Sequence, residues 1–350
     1  MGTEYGIEIR DLYKIFGHRA HTSLERVKQG ASKAELLSSH AHVLGLKNIN
    51  ISMPAGGIQV IMGLSGSGKS TLIRHINRLI EPTAGRVLIG GQDILQMKPA
   101  ALQELRRHCI SMVFQKFALL PNRTVLENTV YGLEIQGLPR AVQVERAMHW
   151  LERVGLKGFE GHYPNQLSGG MQQRVGLARA LASDAPVLLM DEAFSALDPL
   201  IRMDMQSVLL DLQKEIRKTI VFITHDLDEA LRIGDRIAIL RDGEVIQQGT
   251  RHEIVMAPAD EYIARFVREV NRGRVIQVEA IMAPLTATHR PTLSLPRGTS
   301  LEVAMKTLIE AGMDALVVTD NGHNPIGHVT LQSIISTVVT AAEHKLKVAS

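Results

Sequence analysis

An α/β fold in two parts is what this chain of 350 residues predicts, on three observations. An apolar run, Ile58–Met62, leads straight into a glycine-rich loop; two more, Val187–Met190 and Thr219–Ile223, read as buried parallel strands; and the character of the chain changes after Val270. One large domain and a smaller one are expected at this length, each able to bury its own core. Hydrophobic residues make up 45% and charged residues 21%, and the net charge of +3 comes from interspersed signs, so charge does not imply nucleic acid. The single cysteine, Cys109, permits neither an intramolecular disulfide nor a thiolate metal cluster, which fits a reducing compartment. The amino terminus lacks the pattern of a secretion signal, and no apolar run of about 18 residues occurs, so a membrane role would have to act through a partner.

Taken in order, alternation predicts strands over Ile7–Leu12 and Leu46–Met53. Between them, Gly17–Gly45 reads as an insertion with helix-forming stretches at Thr22–Gln29 and Lys33–Ser39. The glycine-rich loop is followed by a helix over Thr71–Leu79. From Ala100 to about Leu156 the pattern is mostly helical, broken at Pro121 and Pro139, and with a helix over Met171–Ala182 it makes a helical subdomain spanning 100–182. Ile237–Leu240 and Glu244–Gln247 flank Arg241-Asp242-Gly243, a hairpin at the sheet's edge. The expected domains are 1–270, a linker at 271–274, and a small α/β domain at 275–340.

Gly63-Leu64-Ser65-Gly66-Ser67-Gly68-Lys69-Ser70 matches GxxxxGK[ST], with the strand before it and the helix opening at Thr71 after it that the motif needs. Its glycines let backbone N–H groups point at phosphate oxygens and the helix start adds a positive dipole end. Lys69 would reach the β/γ-phosphates and Ser70 would hold Mg²⁺. Val187–Met190 ends in Asp191-Glu192, at a strand end where doubly wound sheets place ligand chemistry. Adjacent acids on a strand point to opposite faces, so Asp191 suits the metal while Glu192 approaches the attacking water as general base. His225 follows another core strand and could hydrogen-bond the γ-phosphate or orient Glu192, and the Gln115 amide could ligate Mg²⁺ and sense the γ-phosphate. Leu167-Ser168-Gly169-Gly170 precedes a helix with Ser168 placed as its cap, a second anion site. One nucleotide needs one phosphate loop, so this helix start is expected to meet the γ-phosphate held by another copy.

In this order these residues resemble the nucleotide-binding subunit of ABC transporters over about Glu4–Val270, with Walker A at Gly63–Ser70, Q-loop Gln115, signature Leu167–Met171, Walker B ending at Asp191-Glu192, D-loop Ser195–Asp198 and switch His225. The resemblance implies a head-to-tail homodimer that sandwiches two ATP and drives a permease. The stretches LYKIFG, VIMGLSGSGKSTLIRHINRLIEPTAG, MVFQKFALLPNRTV and MDEAFSALDPLIR are similar to the glycine betaine/proline (quaternary amine) importer ATPase, which also implies a solute-binding protein and the cytoplasmic face of the inner membrane. By that similarity Phe16, or failing that Tyr13, would stack on adenine. Val275–Ser336 resembles one cystathionine-β-synthase-type regulatory module, with a helix opened by Thr299-Ser300-Leu301, strands Ala315–Thr319 and Gly327–Thr330 and a turn at Asp320-Asn321-Gly322. Such modules work in pairs, so a pair would form between two chains; a plain dimerisation domain is the alternative. Arg265, Arg268 and Arg272 fall on one face of the preceding helix and could sense ionic strength by touching anionic lipid. A non-transport ABC ATPase acting on ribosomes or DNA is the competing reading, disfavoured because the chain has one cassette and no long coiled coil. A metabolite kinase would have no need of Leu167–Met171.

Overall fold

The computed structural model describes residues 4–115, 117–268, 270–285 and 293–346. The chain divides into two compact units, 1–248 and 249–350. The first unit opens with β1 (Ile7–Phe16), α1 (Leu24–Lys28), α2 (Lys33–His40), β2 (Val43–Met53) and β3 (Ile58–Met62). It continues with α3 (Lys69–Ile76), β4 (Ala84–Ile89), β5 (Gln92–Asp93), α4 (Pro99–His108), β6 (Ile110–Val113), α5 (Val125–Ile135), α6 (Arg140–Arg153) and α7 (Gly169–Ala182). Then come β7 (Val187–Asp191), α8 (Pro199–Ile216), β8 (Thr219–Thr224), α9 (Leu227–Ile233), β9 (Arg236–Arg241) and β10 (Glu244–Thr250).

Two sheets sandwich the helix that follows the glycine-rich loop. A four-stranded antiparallel sheet has the order β2-β1-β4-β5, and a six-stranded sheet the order β10-β9-β3-β8-β7-β6. Along the second sheet β9, β3, β8, β7 and β6 pair in parallel. Buried on both faces, β3, β7 and β8 read as unbroken apolar runs, which is why the sequence shows them so plainly. Leu72, Ile73 and Ile76 of α3 pack into one core with Ile7, Ile9 and Val87 of the first sheet and Ile61, Leu189 and Val221 of the second. The β9–β10 hairpin turns on Asp242 and Gly243, both at positive φ (52° and 85°), as an Asp-Gly turn matched to the strand twist requires.

Two expectations are refined here. The stretch from Ala100 is mostly helical, as expected, but Ile110–Val113 is a four-residue strand at the edge of the parallel sheet, beside β7. The helical subdomain therefore starts after it, as α5, α6 and α7 packed on one another. The insertion ends at residue 42, because Val43, Leu44 and Gly45 already belong to β2. Its helices form a small core of their own, with Val27 and Leu36 against Tyr13, Ile15 and Leu44.

The second unit holds α10 (Arg251–Met256), α11 (Glu261–Val267), α12 (Arg272–Val275), β11 (Ser294–Pro296), α13 (Leu301–Ala311), β12 (Ala315–Thr319), β13 (Pro325–Thr330) and α14 (Leu331–Leu346). Ser300 caps α13 by accepting from Val303 N, and Asp320 Oδ1 closes the turn by accepting from Gly322 N and Asn324 N, each at 2.8 Å. The division falls at 248/249 rather than at 270. Residues 271–274 are not a free linker, since Asn271 caps α12, Leu301 N donates to Ile276 O at 2.9 Å and Arg274 pairs with Glu302 at 3.0 Å. The three arginines do not share a helix: Arg268 ends α11, Arg272 opens α12, and Arg272 Nε is buried. The lipid-sensing expectation loses its continuous face.

Candidate nucleotide site

Strand order assembles the site. Because β3, β8, β7 and β6 are successive parallel neighbours, the residues just past their carboxyl ends converge: Gly63 after β3, His225 after β8, Glu192 after β7 and Gln115 after β6. The loop 63–68 wraps the start of α3. A Cβ on Gly63, at φ 154°, would lie 2.2 Å from Leu240 O, so only glycine fits beside β9. Gly68 stands at the N-cap of α3 with no side-chain cap, leaving the first backbone N–H groups of the helix for another acceptor.

Lys69 is buried and donates to Gly63 O (2.8 Å) and Leu64 O (3.0 Å), with Nζ 3.7 Å from Glu192 Oε1. Burial lowers its pKa, while the Glu192 and Asp191 carboxylates oppose that shift. Ser70 Oγ donates to Asp191 Oδ1 at 2.9 Å, and Arg74 reaches Asp191 Oδ2 at 3.6 Å. Glu192 accepts from Gln115 Nε2 at 3.0 Å and has His225 Nδ1 at 3.7 Å. One carboxylate thus faces three functional side chains from three elements, and its neighbour faces the hydroxyl of the phosphate loop.

Asp191 and Glu192 do part company, but not by strand alternation. Asp191 ends β7, whereas Glu192 lies outside the strand at φ 47°, a left-handed conformation that costs a non-glycine residue about 1–2 kcal/mol. The turn is held by Glu192 N donating to Ile223 O (3.2 Å) and by Ser195 N and Oγ donating to Glu192 O (3.2 and 2.9 Å).

The second helix start is elsewhere and open. Ser168 Oγ accepts from Met171 N at 3.3 Å, as its place before the helix predicts, and Ser168 and Gly169 are exposed. Arginines tie α7 and the neighbouring α8 to the loops beside the first site. Arg179 of α7 donates to Phe117 O (3.0 Å) and Ala118 O (2.7 Å), two left-handed residues just past Gln115. Arg202 of α8 donates to Leu197 O at 3.1 Å and lies 3.4 Å from Asp226, next to His225. Sequence reasoning singled out neither arginine, nor Arg74; only Arg74 carried a signal, lying four residues after Ser70 on one helix face. Of the two candidate aromatics, Tyr13 is 9% exposed and packed in the insertion's core, while Phe16 is 38% exposed.

The ABC transporter family matches residues 46–195, and the CBS domain family matches residues 278–340. The glycine betaine transport ATP-binding protein OpuAA of Bacillus subtilis (strain 168) is 49% identical over 321 residues, 92% of this chain and 75% of that protein. The chain belongs to the ABC transporter ATP-binding subunits. The glycine betaine/proline betaine transport system ATP-binding protein ProV of Escherichia coli (strain K12) is 47% identical to this subunit over 328 residues, 94% of this chain and 81% of the relative. A solved dimeric ATP-binding cassette in a post-hydrolysis state bound to ADP and Pi superposes with a TM-score of 0.60 at 34% identity, covering 70% of this chain and 98% of the other. This subunit is an ATPase that binds ATP, and its second unit carries a CBS domain.

Proposed function

We propose that two copies of this subunit hold two ATP between the 63–70 loop of one and Leu167–Met171 of the other, and that closing and reopening drive uptake of a quaternary-ammonium or related osmolyte such as glycine betaine, proline or choline. The observation that carries the reading is the convergence of Lys69, Gln115 and His225 on Glu192, within 3.7 Å, while Ser168 and Gly169 stand exposed. Glu192 takes the proton of the attacking water. His225 and Gln115 hold that carboxylate in place and offer N–H groups toward the γ-phosphate. Lys69, satisfied by the loop's own carbonyls, swings onto phosphate oxygens. Phe16 stacks on the base.

The donor set suits a phosphate-bound Mg²⁺. Among the described residues no group of three His, Cys, Asp or Glu side chains could hold a metal, and Ser67 Oγ, within the loop, is buried with no hydrogen-bond partner. Ser70, Asp191 and Gln115 would hold the ion, which when bound neutralises phosphate charge. Among the described residues no helix is long and apolar enough to cross a membrane. The transport systems named for the relatives support assigning transport to an integral-membrane permease, with this subunit on its cytoplasmic face and a solute-binding protein delivering cargo. The names of OpuAA and ProV support that solute class. The CBS domain would regulate by pairing between two chains.

The test is to purify the subunit from membranes with its permease, reconstitute both in liposomes, and measure which solute-loaded binding protein stimulates ATP hydrolysis. Stimulation by glycine betaine, proline or choline but not by methionine is expected. Stimulation by none of the three would remove the solute assignment.

A further inference from the structure

The insertion rejoins the sheet next to the phosphate loop. Phe16, the last residue of β1, pairs with Val43, the first of β2; directly opposite residues share a face, and the two are 38% and 44% exposed. The Phe16 ring lies diagonally over Gly45, where a Cβ would come 2.7 Å from Phe16 Cε2. Gly45 O in turn abuts Gly68, where a Cβ would come within 2.8 Å. An exposed apolar platform therefore stands one backbone step from the phosphate loop. Residues 17–42 leave the sheet directly after Phe16 and return directly before Val43. Such a terminal rung, at the mouth of a long excursion, frays unless the neck of the excursion is tied.

One buried side chain ties it. His42 Nε2 lies 2.9 Å from His18 O, which can only accept, so Nε2 carries the proton; Nδ1, 2.8 Å from Ser23 Oγ, then accepts from the hydroxyl. The imidazole lies on Gly17, at φ 139°, where a Cβ would fall 2.3 Å from His42 Cδ2. His42 N also donates to Leu36 O at 3.2 Å, above the packed Val27, Leu36 and Ile15. One ring thus joins the end of β1, the first turn of the excursion and the start of β2.

We propose that His42 is a positioning residue for nucleotide recognition: by closing the neck of the insertion it holds the Phe16–Val43 platform in place against the base of the bound nucleotide. This rests on the reading that Phe16 faces the base. The consequence is that the insertion is a wall of the nucleotide site rather than a displacement of it.

Calorimetric titration of the full chain with Mg-ATP and with inorganic tripolyphosphate, which offers phosphates without a base, separates the contributions. His42→Ala is expected to weaken ATP binding about tenfold, on the scale of one base stack, and to leave tripolyphosphate binding unchanged. His42→Gln, which keeps a donor for His18 O, should recover part of that loss. Equal losses for ATP and tripolyphosphate in His42→Ala would reduce the residue to a prop of the fold and overturn the proposal. So would an intact preference for ATP in His42→Ala when Phe16→Ala loses it, which leaves the Phe16 reading standing. If Phe16→Ala keeps the preference, the base lies elsewhere and both readings fall.

Discussion

The two glycine-bearing helix starts of the first unit are built on opposite plans. At α3 the N-cap is Gly68, with no side-chain cap, the loop is wrapped by β9 and β2, and Lys69, Asp191 and Glu192 close around it. At α7 the cap is Ser168, which satisfies Met171 N itself, and the start is exposed. The first has its chemistry assembled within one chain. The second has no acidic residue in its first turn among the described residues, yet its helix grips the loop past Gln115 through Arg179. In the proposed assembly the first start supplies the chemistry and the second completes the site of another copy.

Four measurements break or sharpen that contrast. Glu192→Gln should lower turnover by about 10²–10⁴-fold while ATP still binds, accumulating ATP-bound dimers in light scattering; normal turnover would remove the general-base assignment. Acid should weaken the first region selectively. His75 of α3 has its pKa lowered to about 4, chiefly by burial, so the unfolded chain takes a proton before the folded one does. Stability is then complete well above pH 6.5, falls as pH drops toward 4, and levels off below, a loss on the order of 3 kcal/mol read from urea unfolding at pH 7 and about pH 4. His75→Met should flatten that slope. Arg179→Ala, by freeing the Phe117 and Ala118 carbonyls, should cost turnover by up to about 100-fold, the scale of a misplaced catalytic group, with ATP affinity retained in direct binding. An equal loss of affinity would show that the arginine supports the first site alone. Ser168→Ala has the smallest structural effect, about 1 kcal/mol in thermal unfolding for one lost cap, and should reduce ATP-driven dimerisation without touching ATP binding by the monomer.

Much of the first site was legible because its parts are local. The glycine loop, its flanking strand Ile58–Met62 and the capped helix at Ser168 each follow from residues within one short window, and the structure has β3 at Ile58–Met62 and Ser168 as the cap. The edge strand Ile110–Val113 was hidden: four residues between two helices carry too little period to stand out, and only pairing with β7 makes them a strand. The compact units divide at 248/249, so α10 and α11 fall with the second unit, a grouping that depends on packing rather than on any local residue pattern. Arg179 and Arg202 left no trace in sequence, since their partners lie far along the chain or are set by the turn of a loop.

The sequence by itself determined that this chain has a phosphate loop, two carboxylates at a strand end, a second capped helix start and a separate C-terminal domain, because strand runs, glycines and caps act over a few residues. Only the tertiary structure decided that Gln115, Glu192 and His225 meet, since their convergence depends on the order β6-β7-β8, and that Phe16 rather than Tyr13 is open, since burial depends on what the insertion packs against. It also decided that Glu192 leaves the sheet through a left-handed turn, a conformation its neighbours impose and its own residue type disfavours.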